Sequence, residues 1–578
     1  MPTLDWLNRA QAFTTAARVP YRLLEEVSLH AAAAPDAAAT PPALPAQADL
    51  LEAGAAPATR PGATSGNLLI QGDNLEAIKA LLPFYRGQVK CIFIDPPYNT
   101  RSAFEHYDDN LEHAQWLSMM LPRLQLLREL LSEDGSIWVT LDDGEAHYFK
   151  VMADEVFSRS CFIADIAWKR RDGAPNDRKI GPTYDHLFVY AKTSGAGSKT
   201  RAEECFGLME RTEKAESQYQ IYVEPFGFDD RGPFRKVDPT GNAKGGRHVD
   251  SLIYPVTNPF TGDQVYPRKG RCWVYKQEEM ERLVADRRYF WGKDGKAGTP
   301  MRKLFKSEAK AGMASPTIWD DVGMNQHAAR EIEVLFGEKA SFETPKPEGL
   351  IHRALQIATN PGDLVLDSFL GSGTTAAVAH KMGRRWIGIE MGEHAATHCL
   401  PRLQQVIDGE QGGISKAVNW QGGGGFRFMK LGAPIFDEHG RIHPDVRFAT
   451  LAAFIWQQET GAAWNAATGQ PGTPYLGTHY QTDSYSRLLD MRESPISFIK
   501  KPLFACYLLF NGILGDKRPA SGNVLTREVL DALLSLHATT PEPAAPLLVF
   551  GEACRLGPTR LAQAKVTFRH IPYDVKAR

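Results

Sequence analysis

Residues 364–380 read LVLDSFLGSGTTAAVAH, which is an apolar strand, a glycine-rich turn and a helix in immediate succession. Gly371 and Gly373 let the backbone pass close to a ligand, and the first turn of the following helix offers unpaired N–H groups to an anionic group. No lysine directly follows the glycines, so the phosphate-loop pattern is absent and an NTPase is not indicated. The stretch predicts a ligand-binding turn in an α/β fold.

An acidic residue at the end of the next strand narrows the kind of ligand. The strand RRWIGIE (384–390) ends on Glu390, 23 residues after Asp367, which ends the strand before the glycine turn. Nucleotide-binding α/β folds place the acid that accepts hydrogen bonds from ribose hydroxyls about 20 residues after such a turn. The spacing therefore indicates a cofactor that contains adenosine.

The same alternation of strands and helices extends along much of the chain. Strand-like runs lie at 67–73, 89–94, 135–143, 162–169 and 186–192, and helix-like runs lie at 74–85, 113–131 and 144–157. Pro122 predicts a kink or break in the second of these helices. Because the strands are almost continuously apolar, we expect a mostly parallel sheet that helices cover on both faces.

Changes in this rhythm divide the chain into five segments. It is absent from 1–66, where a short amphipathic helix precedes an Ala/Pro-rich linker, and from 194–343, which is rich in Gly, Pro, basic and aromatic residues. Residues 67–193 and 344–425 therefore form two halves of one α/β domain, and 194–343 is predicted to be an insertion. Beyond the glycine run QGGGG, we expect a separate C-terminal α+β domain at 426–578.

The composition is that of an ordinary soluble protein. Hydrophobic residues make up 43% of the 578 residues and the formal net charge is -2, so any DNA-binding surface must be a local patch. The seven cysteines form no CxxC pair, which argues against a zinc ribbon, an iron–sulfur site or a disulfide framework. No apolar run reaches roughly 18 residues and the N-terminus lacks a signal-peptide core, so we expect a cytoplasmic protein without a membrane segment.

A second unusual strand end lies at residues 91–100, CIFIDPPYNT. In a doubly wound sheet, ligands bind just outside the carboxyl ends of the strands, and Asp95 lies at such an end. Pro96 and Pro97 fix φ and hold the loop extended, which directs the Asp95 carboxylate and the Pro96 carbonyl at one point. Tyr98 adds a ring that can stack on a planar ligand. Taken alone, the same residues also fit a proline-stopped surface turn.

Two acceptors beside a ring suit one particular chemical group, the exocyclic amine of a flat base. The lone pair of such an amine is delocalised into the base. When the two acceptors accept hydrogen bonds from both N–H groups in a non-planar arrangement, the lone pair returns to nitrogen. The nitrogen then becomes nucleophilic.

DPPY (95–98) combined with DSFLGSGTT (367–375) resembles the amino-group DNA methyltransferases that use S-adenosylmethionine. The catalytic motif comes first and the cofactor motif last, as in their β class, and the chain is similar to the Mod (modification) subunits of Type III restriction–modification systems. Supporting stretches lie at 68–82, 136–157, 168–179, 344–355 and 384–390. The resemblance implies a Rossmann-like methyltransferase sheet, circularly permuted, with an inserted target-recognition region.

The resemblance also implies roles for individual residues. Asp95 and the Pro96 carbonyl hold the target amine, Pro97 stiffens the loop and Tyr98 stacks on the base. The residues implied for S-adenosyl-L-methionine are Asp367, Phe369, Gly371, Gly373 and Thr374 for the methionine part, Glu390 for the ribose, Asp73 near the adenine, and Lys346 in the segment TPKP that closes over the cofactor. Asp73 and Lys346 also fit a solvated strand-end acid and an exposed loop lysine.

The implied reaction is methyl transfer to adenine N6 of a base flipped out of duplex DNA, by direct attack of the amine on the sulfonium methyl. Asp rather than Ser before Pro-Pro-Tyr favours adenine N6, and cytosine N4 is the alternative within the enzyme class. A third interpretation is a DNA-recognition subunit that mainly delivers a nuclease–helicase. The implied partners are double-stranded DNA, a Res-type helicase–nuclease and a second copy of the chain.

The insertion at 194–343 is the candidate target-recognition region, because its basic residues alternate with aromatic ones. The candidate DNA contacts are Lys169, Arg170, Arg171, Arg235 and Arg271. Acids interleave with these residues, so ordinary salt bridges are the alternative. The acidic turn that contains Asp142, Asp143 and Glu145 is expected to order a loop rather than to bind a metal, since methyl transfer needs none.

Overall fold

The computed structural model describes residues 3–32, 66–99, 112–176, 179–193, 205–242, 250–337, 342, 344–465, 473–481 and 501–571. The chain divides into two compact units, the larger formed by 1–207 with 316–578 and the smaller by Leu208–Ser315. In the described ranges, no helix is long and apolar enough to cross a membrane.

Helices and strands alternate through most of the larger unit. The helices are α1 Arg9–Arg18, α2 Asn74–Tyr85, α3 His113–Leu130, α4 Ala146–Phe157, α5 Glu213–Glu216, α6 Gln277–Ala285, α7 Asn325–Phe336, α8 Glu348–Ala358, α9 Thr374–Lys381, α10 Leu400–Ile407, α11 Phe448–Thr460, α12 Arg527–His537 and α13 Pro558–Gln563. The strands are β1 Arg22–Ala31, β2 Leu68–Gln71, β3 Val89–Ile94, β4 Leu131–Leu141, β5 Phe162–Lys169, β6 Tyr184–Ala191, β7 Phe234–Val237, β8 Thr240–Asn242, β9 Val256–Thr257, β10 Gln264–Val265, β11 Arg271–Trp273, β12 Tyr289–Phe290, β13 Met301–Phe305, β14 Ile318–Trp319, β15 Leu364–Asp367, β16 Arg385–Glu390, β17 Gly425–Pro434, β18 Tyr475–Tyr480, β19 Pro502–Leu508, β20 Val524–Leu525, β21 Leu547–Gly551, β22 Ala553–Cys554 and β23 Val566–His570.

A ten-stranded sheet forms the centre of the larger unit, in the order β1-β17-β2-β16-β15-β3-β4-β6-β5-β14. The strands from β17 to β4 all run parallel to their neighbours. Strand β6 is antiparallel to β4 and β5, and β1 is antiparallel to β17. The predicted α/β fold with a mostly parallel central sheet is therefore confirmed.

The central strands are buried on both faces, which explains why their sequences are almost continuously apolar. In β3, each of the four residues from Cys91 to Ile94 is at most 1% exposed. Helix α3 covers the sheet with buried Trp116, Leu124 and Leu127, and it continues through Pro122 without a break. Burial of each such large side chain contributes about 1.5–3 kcal/mol, so the central strands are rigid supports for whatever follows them.

The order of the strands creates a switch point between β15 and β3. From β15 the chain passes through α9 to β16 on one side, and from β3 it passes through α3 to β4 on the other side. In open α/β sheets, ligands bind in the crevice that forms where the order reverses, beyond the carboxyl ends of the strands. Asp95 directly follows β3 and Asp367 ends β15, so both lie at this crevice.

The predicted segment boundaries differ from the structure at both ends of the chain. Within 1–66, helix α1 is followed by β1, which pairs with β17 and extends the sheet; residues 33–65 lie outside the described part. Strand β17 lies beyond the glycine run but pairs with β2 in the central sheet, so the segment 426–578 begins inside the α/β domain. These strands are held in the sheet by main-chain pairing. Their sequences therefore show only a weak apolar pattern, from which a strand could not be predicted.

The insertion also has narrower bounds than predicted. The smaller unit, Leu208–Ser315, lies inside 194–343, and its described part contains short antiparallel strands and the helices α5 and α6. The described residues that follow Ser315 belong to the larger unit, because β14 pairs in parallel with β5 at the edge of the central sheet. Near the C-terminal end, β18, β19, β21 and β23 form a separate four-stranded sheet.

A buried ion cluster fixes α8 against α9 and α10 near the glycine turn. Glu348, at the start of α8, is 2% exposed and accepts hydrogen bonds from Lys381 Nζ at 2.8 and 2.9 Å and from Arg402 Nη2 at 3.0 Å. Burial raises the pKa of Glu348, but Arg402 and Lys381 outweigh it and hold this pKa below its ordinary value. Arg402 also donates to Thr374 Oγ1 at 2.8 Å, at the start of α9.

We expect Glu348→Gln to lower the free energy of unfolding by about 3 kcal/mol or more, because Lys381 and Arg402 lose their shared buried counter-charge. Urea denaturation followed by tryptophan fluorescence measures the change. The matched control is Asp531→Asn, which breaks the exposed pair of Asp531 with Arg560 and should cost less than about 1 kcal/mol. Equal losses for the two variants would contradict a stabilising role for the cluster.

Candidate active site

Three carboxylates line one edge of the central sheet. Glu390, Asp367 and Asp95 stand at the carboxyl ends of β16, β15 and β3, which are adjacent and parallel. Glu390 is 2% exposed and Asp367 is 4% exposed. The structure thus brings together the two motifs that the sequence places some 270 residues apart, and it gives their meeting point a strongly negative character.

Asp95 is held on both oxygens. Its Oδ1 accepts a hydrogen bond of 2.5 Å from Thr140 Oγ1, which lies on the neighbouring strand β4. Its Oδ2 pairs with the ammonium of Lys346, whose side chain is 10% exposed. The rigid loop that follows is anchored by Trp116 Nε1, which donates to the Pro97 carbonyl at 2.7 Å. The carboxylate orientation is therefore fixed by strand, loop and helix together.

Tyr98 lies beside this carboxylate, with one face of its ring under the lysine. The ammonium of Lys346 is 4.9 Å from the ring centroid, which is a cation–π distance. Burial raises the pKa of the Tyr98 phenol well above its ordinary value, and the charges of Asp95 and Asp185 raise it further. The phenol therefore stays neutral, and the ring serves as an apolar surface.

Asp367 is the carboxylate with the weakest compensation. It accepts a hydrogen bond of 2.9 Å from the Phe369 backbone N–H. Among the described residues, no lysine or arginine forms an ion pair with it. Burial raises the pKa of Asp367 to about 7, and the neighbouring charges of Asp95 and Glu390 add to this rise, although Thr375 and Phe369 lower it. A cation bound beside Asp367 would be favoured electrostatically.

The glycine turn forms a backbone cradle next to Glu390. The Gly371 N–H donates to Glu390 Oε2 at 2.7 Å, and Cys399 Sγ lies 3.0 Å from the Gly371 carbonyl oxygen. Gly371 and Gly373 have φ of +58° and +85°, a region that favours glycine. Phe369 is buried behind the turn. A Cβ at Gly371 would lie 3.2 Å from the Phe342 ring, so that ring would have to shift to admit a side chain.

Asp73 occupies the neighbouring strand end, after β2, and caps a helix. Its Oδ1 accepts from the backbone N–H groups of Leu75 and Glu76 at 2.9 and 3.2 Å, at the start of α2. Its Oδ2 accepts from Arg123 Nη2 at 3.2 Å. The side chain is 37% exposed and therefore still reaches the crevice edge. Sequence analysis did not detect this capping role.

Asp185 is a site residue that sequence analysis missed. It lies near the start of β6, is 1% exposed, and has Arg170 Nε 3.2 Å from its Oδ1. Burial raises the pKa of Asp185 to about 7; Arg170 and Lys346 lower it, while Asp95 raises it. The available signal was an acid directly before the apolar run HLFVYA, at a strand end that faces the site.

The five side chains predicted to contact DNA differ in whether they form ion pairs within the protein. In the larger unit, Lys169 pairs with Asp172 at 2.7 Å and Arg170 pairs with Asp185, whereas Arg171 is exposed. In the smaller unit, Arg271 is held by Asp238 at 2.8 Å and Arg235 is partly buried. Three of these five side chains, Lys169, Arg170 and Arg271, therefore form salt bridges within the protein.

The acidic turn after β4 contacts loops around the site. Glu145 is fully buried and accepts from Asn99 Nδ2 at 2.6 Å, directly after Tyr98. Asp143 lies 3.1 Å from His186 Nε2, on β6. No group of three or more metal-binding side chains occurs in the part of the chain that the structure describes. Glu145 thus anchors the exit of the loop that carries Asp95.

Comparison with known proteins gives consistent matches. The model of a family described as DNA methylase matches residues 89–399, more than half of the chain. The probable type III restriction-modification enzyme HindVI Mod subunit of Haemophilus influenzae is 31% identical over 418 residues, which cover 64% of this chain and 54% of that protein.

Two further relatives extend this result. The type III enzyme StyLTI Mod subunit of Salmonella typhimurium is 33% identical, over 54% of this chain and 49% of its own. The type II methyltransferase M.KpnI of Klebsiella pneumoniae is 29% identical, over 55% of this chain and 76% of its own. The chain therefore spans about half the length of the two Mod subunits.

We expect Asp367→Asn to raise the free energy of unfolding, relative to the wild type, more at pH 8 than at pH 5. The folded pKa of about 7 lies above the ordinary carboxyl value, so stability from protonated Asp367 is present at low pH and is lost as pH rises through 7. An amide does not titrate, so the difference in unfolding free energy between variant and wild type should shift by on the order of 2 kcal/mol in favour of the variant.

Urea denaturation at the two pH values measures this shift. Asp134→Asn is the control, because Asp134 is 69% exposed and the pKa of its carboxyl is lowered rather than raised. A variant-to-wild-type difference at position 367 that stays constant between pH 5 and pH 8 would contradict the assignment.

Proposed function

Because the chain belongs to the DNA methylase family, we propose that it transfers a methyl group from S-adenosyl-L-methionine to N6 of an adenine flipped out of duplex DNA. The observation that carries this proposal is the position of Asp95, on a proline-stiffened loop, at the strand end next to Asp367 and the glycine turn. An acceptor for an amine and a cradle for a cofactor are thereby adjacent.

The cofactor side of the site fits a cationic, adenosine-containing methyl donor. Asp367 is buried with a raised pKa, and the sulfonium and amino groups of S-adenosyl-L-methionine supply positive charge. Gly371 and Gly373 give the backbone room for the methionine part, with Phe369 and Thr374 behind them. Glu390 would accept hydrogen bonds from the ribose, and Asp73 lies at the next strand end, towards the adenine.

On the catalytic side, the chain binds and orients the amine. Asp95 and the Pro96 carbonyl accept its two N–H bonds, Thr140 keeps the carboxylate in place, and Tyr98 provides the stacking surface. Accepting hydrogen bonds from both N–H groups would localise the lone pair on nitrogen, and S-adenosyl-L-methionine, held at the glycine turn, would supply the methyl group that this nitrogen takes up. The amine proton leaves to Asp95 or water. Positioning supplies most of the rate enhancement, and no enzyme-bound methyl intermediate is needed.

The smaller unit is the proposed target-recognition module. Residues 208–315 contain 20 Lys and Arg against 15 Asp and Glu, so this unit is basic although the whole chain has a net charge of -2. Local positive charge is what duplex phosphates require. The similarity to Mod subunits supports action with a separate nuclease–helicase in a restriction–modification system. Cytosine N4 remains the alternative target, since its amine presents the same two hydrogens.

Transfer of isotope from labelled S-adenosyl-L-methionine to mixed, unmethylated DNA, followed by nucleoside analysis, tests the proposal. We expect the label in N6-methyladenine. Label in N4-methylcytosine would correct the target base, and the absence of label from every base would refute methyl transfer and favour a DNA-recognition subunit.

We expect Asp95→Ala to lower the methylation rate by a factor of about 1,000 or more, because the amine loses its positioned acceptor. Cofactor affinity, measured by equilibrium dialysis, should change less than about threefold, since Asp95 lies outside the glycine cradle. Asp134→Ala is the control, because Asp134 pairs with Lys90 at the opposite end of β3. Retained transfer by the Asp95 variant would contradict this role.

A further inference from the structure

Lys346 lies where the substrate amine has to bind. Its ammonium pairs with Asp95 Oδ2 and lies 4.9 Å from the centroid of the Tyr98 ring. These are two of the contacts proposed for the target base, whose amine donates to Asp95 and whose ring stacks on Tyr98. A base stacked on that face of Tyr98 and bonded to Asp95 would overlap with the ammonium.

A second carboxylate acts on the same ammonium. Asp185 is 1% exposed, and within the described residues neither of its oxygens accepts a hydrogen bond, although Arg170 Nε approaches Oδ1 to 3.2 Å. Lys346 is close enough to lower the pKa of Asp185, which burial raises. A buried carboxylate that lacks hydrogen-bond donors is costly, so Asp185 gains from any donor that reaches it.

We propose that Lys346 is a displaceable stand-in for the target amine: its ammonium pairs with Asp95 in the structure and moves to Asp185 when the base enters. The proposal rests on the proposed function, because the entering group is the amine to be methylated. The four-carbon stem of lysine lets the ammonium move while the main chain stays in place. Glu348, two residues later, is fixed by Lys381 and Arg402, which keeps that main chain stationary.

This exchange makes Lys346 a specificity-determining residue. A base with an exocyclic amine replaces the hydrogen bond from the lysine to Asp95 with hydrogen bonds from its own N–H groups. Thymine carries no such amine, so it would leave Asp95 with fewer donors than the lysine provides. The unpaired carboxylate would then oppose entry of that base, in the way that an unsatisfied buried polar group rejects a substrate that lacks its partner.

Steady-state kinetics on a mixed pool of unmethylated duplex DNA test the exchange through a double-mutant cycle. Asp185→Asn removes the charge that receives the lysine, so KM for DNA should rise about tenfold while kcat changes less than about threefold. Lys346→Met removes the stand-in, so its KM should be no higher than that of the wild type. In the Lys346→Met background, Asp185→Asn should change KM by less than about twofold.

The outcomes separate this proposal from the function on which it rests. An equal rise in KM for Asp185→Asn in both backgrounds would show that Asp185 acts without Lys346 and would overturn the proposal while the function stands. Loss of kcat in Lys346→Met would overturn it as well, because the lysine would then act during transfer. Absence of methyl transfer by the wild type would refute both.

Two controls exclude general damage to the protein. Affinity for S-adenosyl-L-methionine, measured by equilibrium dialysis, should stay within about threefold of the wild-type value in Asp185→Asn. Lys90→Met removes a lysine at the start of β3, at the opposite end of that strand from Asp95; it pairs with Asp134 of β4 at 2.6 Å, and its loss should leave KM for DNA unchanged.

Discussion

Burial of three neighbouring carboxylates is the constraint on which the site depends. Asp95, Asp367 and Glu390 end adjacent parallel strands, and parallel strands present all their carboxyl ends at one edge of the sheet. The compensation differs between them: Asp95 has Thr140 and Lys346, and Glu390 has a backbone N–H of the glycine turn. Asp367 accepts from the Phe369 N–H but forms no ion pair with a lysine or arginine in the described part; burial raises its pKa, and this edge favours a positively charged ligand.

Rigid supports around Asp95 follow from the same constraint. The Asp95 carboxylate keeps a fixed orientation because strand β3 is buried on both faces and the loop beyond it carries two prolines. Trp116 fixes the Pro97 carbonyl from α3, and Glu145 holds Asn99 at the loop exit. These contacts come from separate parts of the chain, and each restricts the loop in a different place.

The sequence predicts the central strands and the two motifs well, because strongly apolar strands and glycine or proline turns leave local signals. It does not predict β1 and β17, whose place in the sheet depends on pairing with each other and with β2. The resemblance implies that Lys346 lies in a segment that closes over the cofactor, and the structure adds that its ammonium pairs with Asp95, across 251 residues of chain. Asp185 stays unnoticed for the same reason: one acid near a strand start gains meaning only from its neighbours in space.

The position of Lys346 links the two halves of the site mechanically. Lys346 reaches Asp95, and two residues later Glu348 enters the buried cluster with Lys381 and Arg402. Arg402 also donates to Thr374 and contacts Ser372, so the same cluster supports the glycine turn. A shift of the glycine turn would therefore be transmitted to the main chain that carries the lysine. The segment TPKP (344–347) is a rigid connection between the glycine turn and Asp95, because Lys346 reaches Asp95 and Glu348, directly after the segment, is fixed in the buried cluster.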